Sequence, residues 1–177
     1  VIASYDYPDV STLRSLVAPP RDAEDLTRVL KDVTLGGFNV KTLLNRSFSV
    51  VIEAIDDFFL ECHPDDLALL YFSGHGVKDV DGQLYFAMSN TNLKKLPSTA
   101  IKAQWVNERM LRSKAKQKVL LLDCCYSGAF AKGTVIKAAQ NQNIGTQEYF
   151  DERGYAILTA CDAIQYALEV DGDKVDG

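Results

Sequence analysis

Two apolar runs in this chain stop abruptly in residues that can do chemistry. Val119 to Leu122 is too short for an ordinary helix and suits a strand buried on both faces. It ends in Asp123-Cys124-Cys125-Tyr126-Ser127-Gly128. Leu67 to Phe72 is a second such run, and it ends in Ser73-Gly74-His75-Gly76. In an open parallel sheet, ligands gather at the carboxyl ends of the strands. One strand therefore delivers an imidazole to that edge and another delivers a thiol. A thiol becomes a useful nucleophile when a neighbour helps to ionise it. His75 can take that proton, or protonate the leaving group. The glycines on either side of it let backbone approach a substrate carbonyl, and the amides of Gly76 and of the nucleophile can face a developing oxyanion. The pattern predicts a thiol hydrolase; the bland alternative is a satisfied core histidine beside a buried thiol.

The elements that must position these groups can be read around them. Val1 to Ala3 reads as the tail of a first strand, and Ser4 to Pro20 as a polar, Pro-containing loop. Arg21 to Val33 reads as an amphipathic helix with Ala23, Leu26, Val29 and Leu30 inward. Asp22, Glu24 and Asp25 then fall in its first turn, where acids suit the helix dipole. Phe38 to Leu44 alternates as strand two, and a helix capped by Ser47 or Ser49 runs to about Cys62. After the His75 turn, Val77 to Val80 and Gln83 to Ala87 flank Asp81-Gly82, a hairpin signal. Asn90 to Thr99 reads as a loop and Ile101 to Ser113 as a helix, with Val106, Met110 and Leu111 inward and Trp105 half-buried. Lys114, Lys116 and Lys118 form a basic run at its end. Periodicity is lost from Ala131 to Arg153, Tyr155 to Thr159 is a fifth strand, and an acidic tail closes the chain. The order predicts an α/β sandwich with a mostly parallel sheet.

At 177 residues the chain fits one domain, and 47% hydrophobic with 24% charged residues is an ordinary globular balance. A net charge of -5 argues against nucleic acid or anionic lipid as partners. No apolar run approaches a membrane span, and no signal peptide is visible. Four cysteines at this length are no disulfide framework, so a reducing, cytoplasmic setting is expected. Zinc on Cys62, His63 and the later cysteine pair has no supporting ligand spacing. Asp79 and Asp81 lack the regular acid spacing of a calcium loop and read as solvated hairpin acids.

With both motifs in view, the chain resembles the caspase and metacaspase superfamily, the bacterial caspase-like branch (orthocaspases) above all. The residues that carry this are Tyr71-Phe72-Ser73-Gly74-His75-Gly76 followed by Asp123-Cys124-Cys125-Tyr126-Ser127-Gly128. A histidine about 50 residues before the cysteine is the spacing already known for caspases. The resemblance runs from Val1 to about Glu169 and implies a caspase-like α/β/α sandwich. It also implies a His75–Cys125 dyad, because the family places the nucleophile two residues after the acid. Alternation along a strand agrees, since neighbouring thiols point to opposite faces. Metacaspase-like enzymes cleave after Arg or Lys through acids at the floor of the S1 pocket. Asp123 and Asp22 match those acids, and Ser73 resembles a further pocket residue. The implied substrate is a protein or peptide with Arg over Lys at P1, and Asp is excluded.

The departures set limits. Tyr126 stands where metacaspases usually carry histidine. No cofactor is expected; calcium is the ion the resemblance raises, yet the longer acidic segment that goes with it is largely missing here. The first strand is read as truncated and a sixth strand as absent, which makes residues 1–177 a large-subunit-like single domain. A small-subunit-like segment or an upstream activating protease is then an expected partner, and the 131–153 loop, with Lys132, Lys137 and Arg153, an expected self-cleavage site. Relatives of this kind are often linked to signalling and defence modules. Competing readings are a non-catalytic caspase-like scaffold, or another thiol enzyme such as an acyltransferase or phosphatase, though no C-x₅-R loop follows Cys125.

Overall fold

Apolar runs too short for helices become strands, and the amphipathic runs between them become helices that cover the sheet. The computed structural model describes residues 1–7, 13–124, 149–151 and 155–159. In chain order it has β1 (Ile2–Ala3), α1 (Ala18–Lys31), β2 (Leu43–Leu44), α2 (Phe48–Glu61), β3 (Leu67–Ser73), β4 (Gly76–Lys78), β5 (Leu84–Ala87), α3 (Leu96–Thr99), β6 (Ala100–Lys102), α4 (Ala103–Arg112), β7 (Gln117–Asp123), β8 (Tyr149–Asp151) and β9 (Tyr155–Thr159). The main sheet has the order β2-β1-β3-β7-β9-β8. Every pairing in it is parallel except the outer β8–β9 pair. This is the α/β architecture with a parallel centre that the sequence predicts.

Alternation along β3 decides which side each residue serves. Ala68, Leu70 and Phe72 face the main core with Leu120 and Leu122 of β7, Val51, Ile55 and Phe59 of α2, and Val106 and Met110 of α4. Leu69, Tyr71 and Ser73 point the other way, toward the side that α1 covers; α1 packs on β1 and β3. Helices on both faces cover β3, which is why it reads as an apolar run instead of an alternating one, whereas β7 buries Leu120 and Leu122 in the core and keeps Val119 and Leu121 half-buried.

Several sequence readings shift. The first helix begins at Ala18, with Pro19 and Pro20 in its first turn, where the missing amide costs nothing and the fixed φ helps. Its first turn holds no acid, so the dipole reading of Asp22, Glu24 and Asp25 is lost. Val29 and Leu111 are exposed, at the margins of their helices' apolar stripes. The hairpin holds as β4–β5, but Lys78 pairs with Leu84 and the connection between them is a longer loop. There the Asp79 carboxylate accepts the amides of Asp81 and Gln83, so this acid serves the turn. Residues 100–102, the last two of which the sequence reading gave to a helix, form β6, the third strand of that small antiparallel sheet. The loop before it contains a 3₁₀ turn (Leu93–Lys95) and α3. Lys118 is a buried β7 residue, not part of a basic run at the helix end. β8 lies inside the stretch where periodicity is lost.

Candidate active site

The carboxyl ends of β3 and β7 lie side by side, with Ser73 opposite Asp123 in parallel register. The chain then turns through Gly74, whose φ is +155°. A β-carbon there would stand 2.7 Å from the Ser4 carbonyl oxygen and 3.3 Å from the Tyr7 hydroxyl. Glycine is thus spent on close packing against the 4–7 segment, whereas the sequence reading assigned it to substrate access. Gly74→Ala should cost about 1–3 kcal/mol in backbone strain alone, before the clash is relieved. A fall in Tm of roughly 5 °C or more in a melting experiment is the expected outcome.

That packing positions His75. The Tyr7 hydroxyl donates to the Ser4 carbonyl at 2.6 Å and accepts the His75 amide at 3.3 Å. The two rings lie 5.2 Å apart, tilted by 41°. Burial raises the Tyr7 pKa, against the lowering effect of its hydrogen bonds with Ser4 and His75, so the phenol keeps its proton and its donor role. His75 Nε2 is 2.8 Å from the Arg14 carbonyl oxygen. A carbonyl can only accept, so Nε2 carries a hydrogen. In the neutral ring the basic lone pair is then on Nδ1. Sequence reasoning missed both supports because residues 4–20 read as a polar loop. The signal was Tyr5 and Tyr7, two aromatics followed by Val10, Leu13 and Leu16, more apolar residues than a purely polar loop carries.

Gly76 opens β4, pairs with Phe86 and is buried. Cys124 is 5% exposed and belongs to the core cluster of Phe72 and Leu122. It stands near enough to Tyr7 for a negative charge there to push the phenol's pKa up. Cys125 lies outside the described residues, as do Tyr126, Lys132, Lys137, Arg153 and the acidic tail.

On the α1 side of the sheet a polar cluster forms around Asp123. The Tyr71 hydroxyl donates to Asp123 Oδ2 at 3.4 Å. Tyr71 is pushed up to about 12, chiefly by burial, against a lowering contribution from the Ser73 hydroxyl and with Asp123 and Asp22 adding to the rise. Asp123 is raised as well, by burial first and by the Asp22 carboxylate second. Asp22, Asp123 and Ser73 therefore lie within reach of one another around Tyr71. Asp22 reaches the cluster from the second turn of α1, and Ser73, 2% exposed, lies beneath it. Tyr71 is the member that sequence reasoning passed over; the period of two along β3 puts it on the same face as Ser73. Two acids held together, with no ion pair to either among the described residues, make a site that attracts a cation.

Cys62 and His63, weighed and set aside as zinc ligands, lie away from Cys124. Cys62 ends α2 with its thiol 3.1 Å from the Phe58 carbonyl, and His63 is 84% exposed beside Asp66. Both lie near the amino ends of β3 and β7, a strand's length from Cys124. Among the described residues no three His, Cys, Asp or Glu side chains gather as a metal site, and no helix is long and apolar enough to cross a membrane.

The family model for the caspase domain (peptidase C14) matches residues 1–174. The chain belongs to the caspase-domain family. Its family is thus one of cysteine peptidases, and the parallel sheet with its covering helices is consistent with the caspase fold. No curated protein matches the chain.

Proposed function

We propose that this caspase domain is a cysteine endopeptidase that cleaves after basic residues, Arg in preference to Lys. The convergence of Asp22 and Asp123 with Tyr71 and Ser73 is the observation that carries the specificity. A guanidinium presents several donors to two carboxylates and can pair bidentately, whereas an ammonium is a point charge. A P1 aspartate would meet two like charges. Cys125 is the nucleophile and His75 the group that handles its proton through Nδ1, with the ring held by the Arg14 carbonyl and Tyr7. The amides of Gly76 and Cys125 serve the oxyanion. The thiolate attacks the scissile carbonyl, the amine leaves with a proton from His75, and water then releases the acyl group. Membership of a peptidase family and the packed surroundings of His75 support this assignment.

The enzyme works in the cytoplasm without a metal cofactor, on protein or peptide substrates. A small-subunit-like segment or an upstream protease activates it, and the orthocaspase branch with its defence modules offers a functional analogy. Fluorogenic peptides differing at P1 test the reading: Arg should exceed Lys, and Asp should give no signal. A peptidyl electrophile with P1 Arg should label Cys125, located by peptide mapping. Efficient cleavage after Asp overturns the pocket assignment. Failure to label Cys125 in the activated protein points to a scaffold that binds without cutting.

A further inference from the structure

Asn45 follows β2 and stands at the turn into α2. Its φ is +49°, and among the described residues no other non-glycine residue has a positive φ. Asparagine tolerates this left-handed region better than most side chains do. The turn is pinned at both ends. The Asn45 amide donates to the Ala3 carbonyl at 2.7 Å, one step beyond the β1–β2 ladder. After it, the Ser89 amide donates to the Arg46 carbonyl, and the Asn90 side-chain oxygen accepts the Phe48 amide at 2.8 Å. With its backbone fixed in this way, the half-buried Asn45 side chain reaches the segment that leaves β1. Its Oδ1 accepts two consecutive amides, that of Tyr5 at 3.2 Å and that of Asp6 at 2.9 Å.

Those two residues hold the stretch that supports the imidazole. The Tyr5 carbonyl accepts the Leu16 amide at 2.8 Å, and the Asp6 carboxylate accepts the Ser15 hydroxyl at 3.3 Å. Residues 15 and 16 directly follow Arg14, whose carbonyl takes the hydrogen on His75 Nε2. On the other side of Arg14, Leu13 is buried in the small core cluster with Tyr7, Val77 and Tyr85. Arg14 itself is exposed, so its carbonyl is placed by its neighbours and not by its own packing. Asp6 also precedes Tyr7, whose hydroxyl accepts the His75 amide. Both supports of the ring therefore lead back, through the 5–6 corner, to the Asn45 oxygen.

We propose that Asn45 is a positioning residue for proton transfer by His75, holding the Arg14 carbonyl and Tyr7 where they keep the ring in its Nε2–H form. The inference rests on the reading of His75 as the group that serves the Cys125 thiol. Without the Asn45 oxygen the two amides turn to water, and the 5–6 corner loosens together with residues 14–16. The ring then donates less often to Arg14, and the tautomer with hydrogen on Nδ1, which has no lone pair there for the thiol proton, gains. Asp22 and Asp123 draw on α1 and β7, so the hold on a P1 arginine persists. Two variants separate oxygen from backbone. Asn45→Gly adopts the left-handed conformation freely and lacks the oxygen, whereas Asn45→Asp keeps an oxygen for both amides. With the activated protein and a P1-Arg peptide, Asn45→Gly should lower kcat roughly ten- to a hundredfold at nearly constant KM. Asn45→Asp should keep most of the wild-type kcat. Assays run at a temperature where circular dichroism shows each variant folded. The chain has two histidines, so NMR of the labelled ring nitrogens, with His63→Ala for assignment, reads the tautomer without substrate or activation. The neutral His75 ring should be Nε2–H in wild type and Asn45→Asp, and a mixture in Asn45→Gly. Wild-type kcat in Asn45→Gly, a raised KM in place of a lowered kcat, or an unchanged tautomer overturns the inference. If His75→Ala itself keeps cleaving, the catalytic reading fails instead, and the tautomer measurement still decides whether Asn45 holds the ring.

Discussion

Cys125→Ala should abolish peptide cleavage, on the order of a 10⁵-fold fall in kcat/KM, while Cys124→Ala keeps most of it. The two thiols are neighbours in sequence and differ in what surrounds them. Cys124 is packed in the core with Phe72 and Leu122, 5% exposed, which leaves a substrate no access to its sulfur. Its loss is a packing matter, worth about 1 kcal/mol and a few degrees in Tm. His75→Ala should fall nearly as far as Cys125→Ala, because groups that act as one unit do not contribute additively. Steady-state assays on a P1-Arg peptide, with circular dichroism to show that each variant is folded, make the comparison. Activity that survives in Cys125→Ala and vanishes in Cys124→Ala would move the nucleophile to the core thiol and sink the dyad.

What could be read beforehand followed from where signals are local. The runs Leu67 to Phe72 and Val119 to Leu122 end in turn residues, so β3, β7 and the His75 turn were legible. Asp22 was legible only through the family motif, and its local rationale as a helix-start acid was mistaken. Pro19 and Pro20 look like loop residues, yet proline is welcome in a helix's first turn, so the start moved three residues upstream. β6 is only three residues long and paired on one side by β5, too short to show a period of its own. Strand two illustrates a different limit. The alternation at 38–42 is genuine, but a ladder needs a partner, and only Leu43 and Leu44 have one. The supports of His75, the Tyr7 ring and the Arg14 carbonyl, were not legible because a backbone oxygen brought back 61 residues later carries no residue-type signal.

Asp123→Asn should lower kcat/KM for P1-Arg peptides and raise the melting temperature in the same protein. Removing one partner of a buried charged hydrogen bond costs about 2–4 kcal/mol, a loss of roughly 30- to 1,000-fold. The stability gain comes from the other side of the balance. Burial and the Asp22 carboxylate raise the Asp123 pKa above its ordinary 3.8. A carboxyl raised on folding leaves stability intact below the unfolded value and erodes it as pH climbs through the folded one. At neutral pH the buried, ionised group beside Asp22 therefore costs stability, and asparagine relieves that cost. The same shift predicts that P1-Arg cleavage fades on acidification at a higher pH than an ordinary aspartate would give, as Asp123 takes a proton. Asp22→Asn should also lower P1-Arg cleavage and, by removing the like charge, bring that acid limb to lower pH. Measuring kcat/KM against pH for wild type and both variants, with Tm for each, separates the two effects. An Asp123→Asn protein that melts lower and cleaves Arg peptides unchanged would show that this acid pair belongs to the fold and not to the pocket.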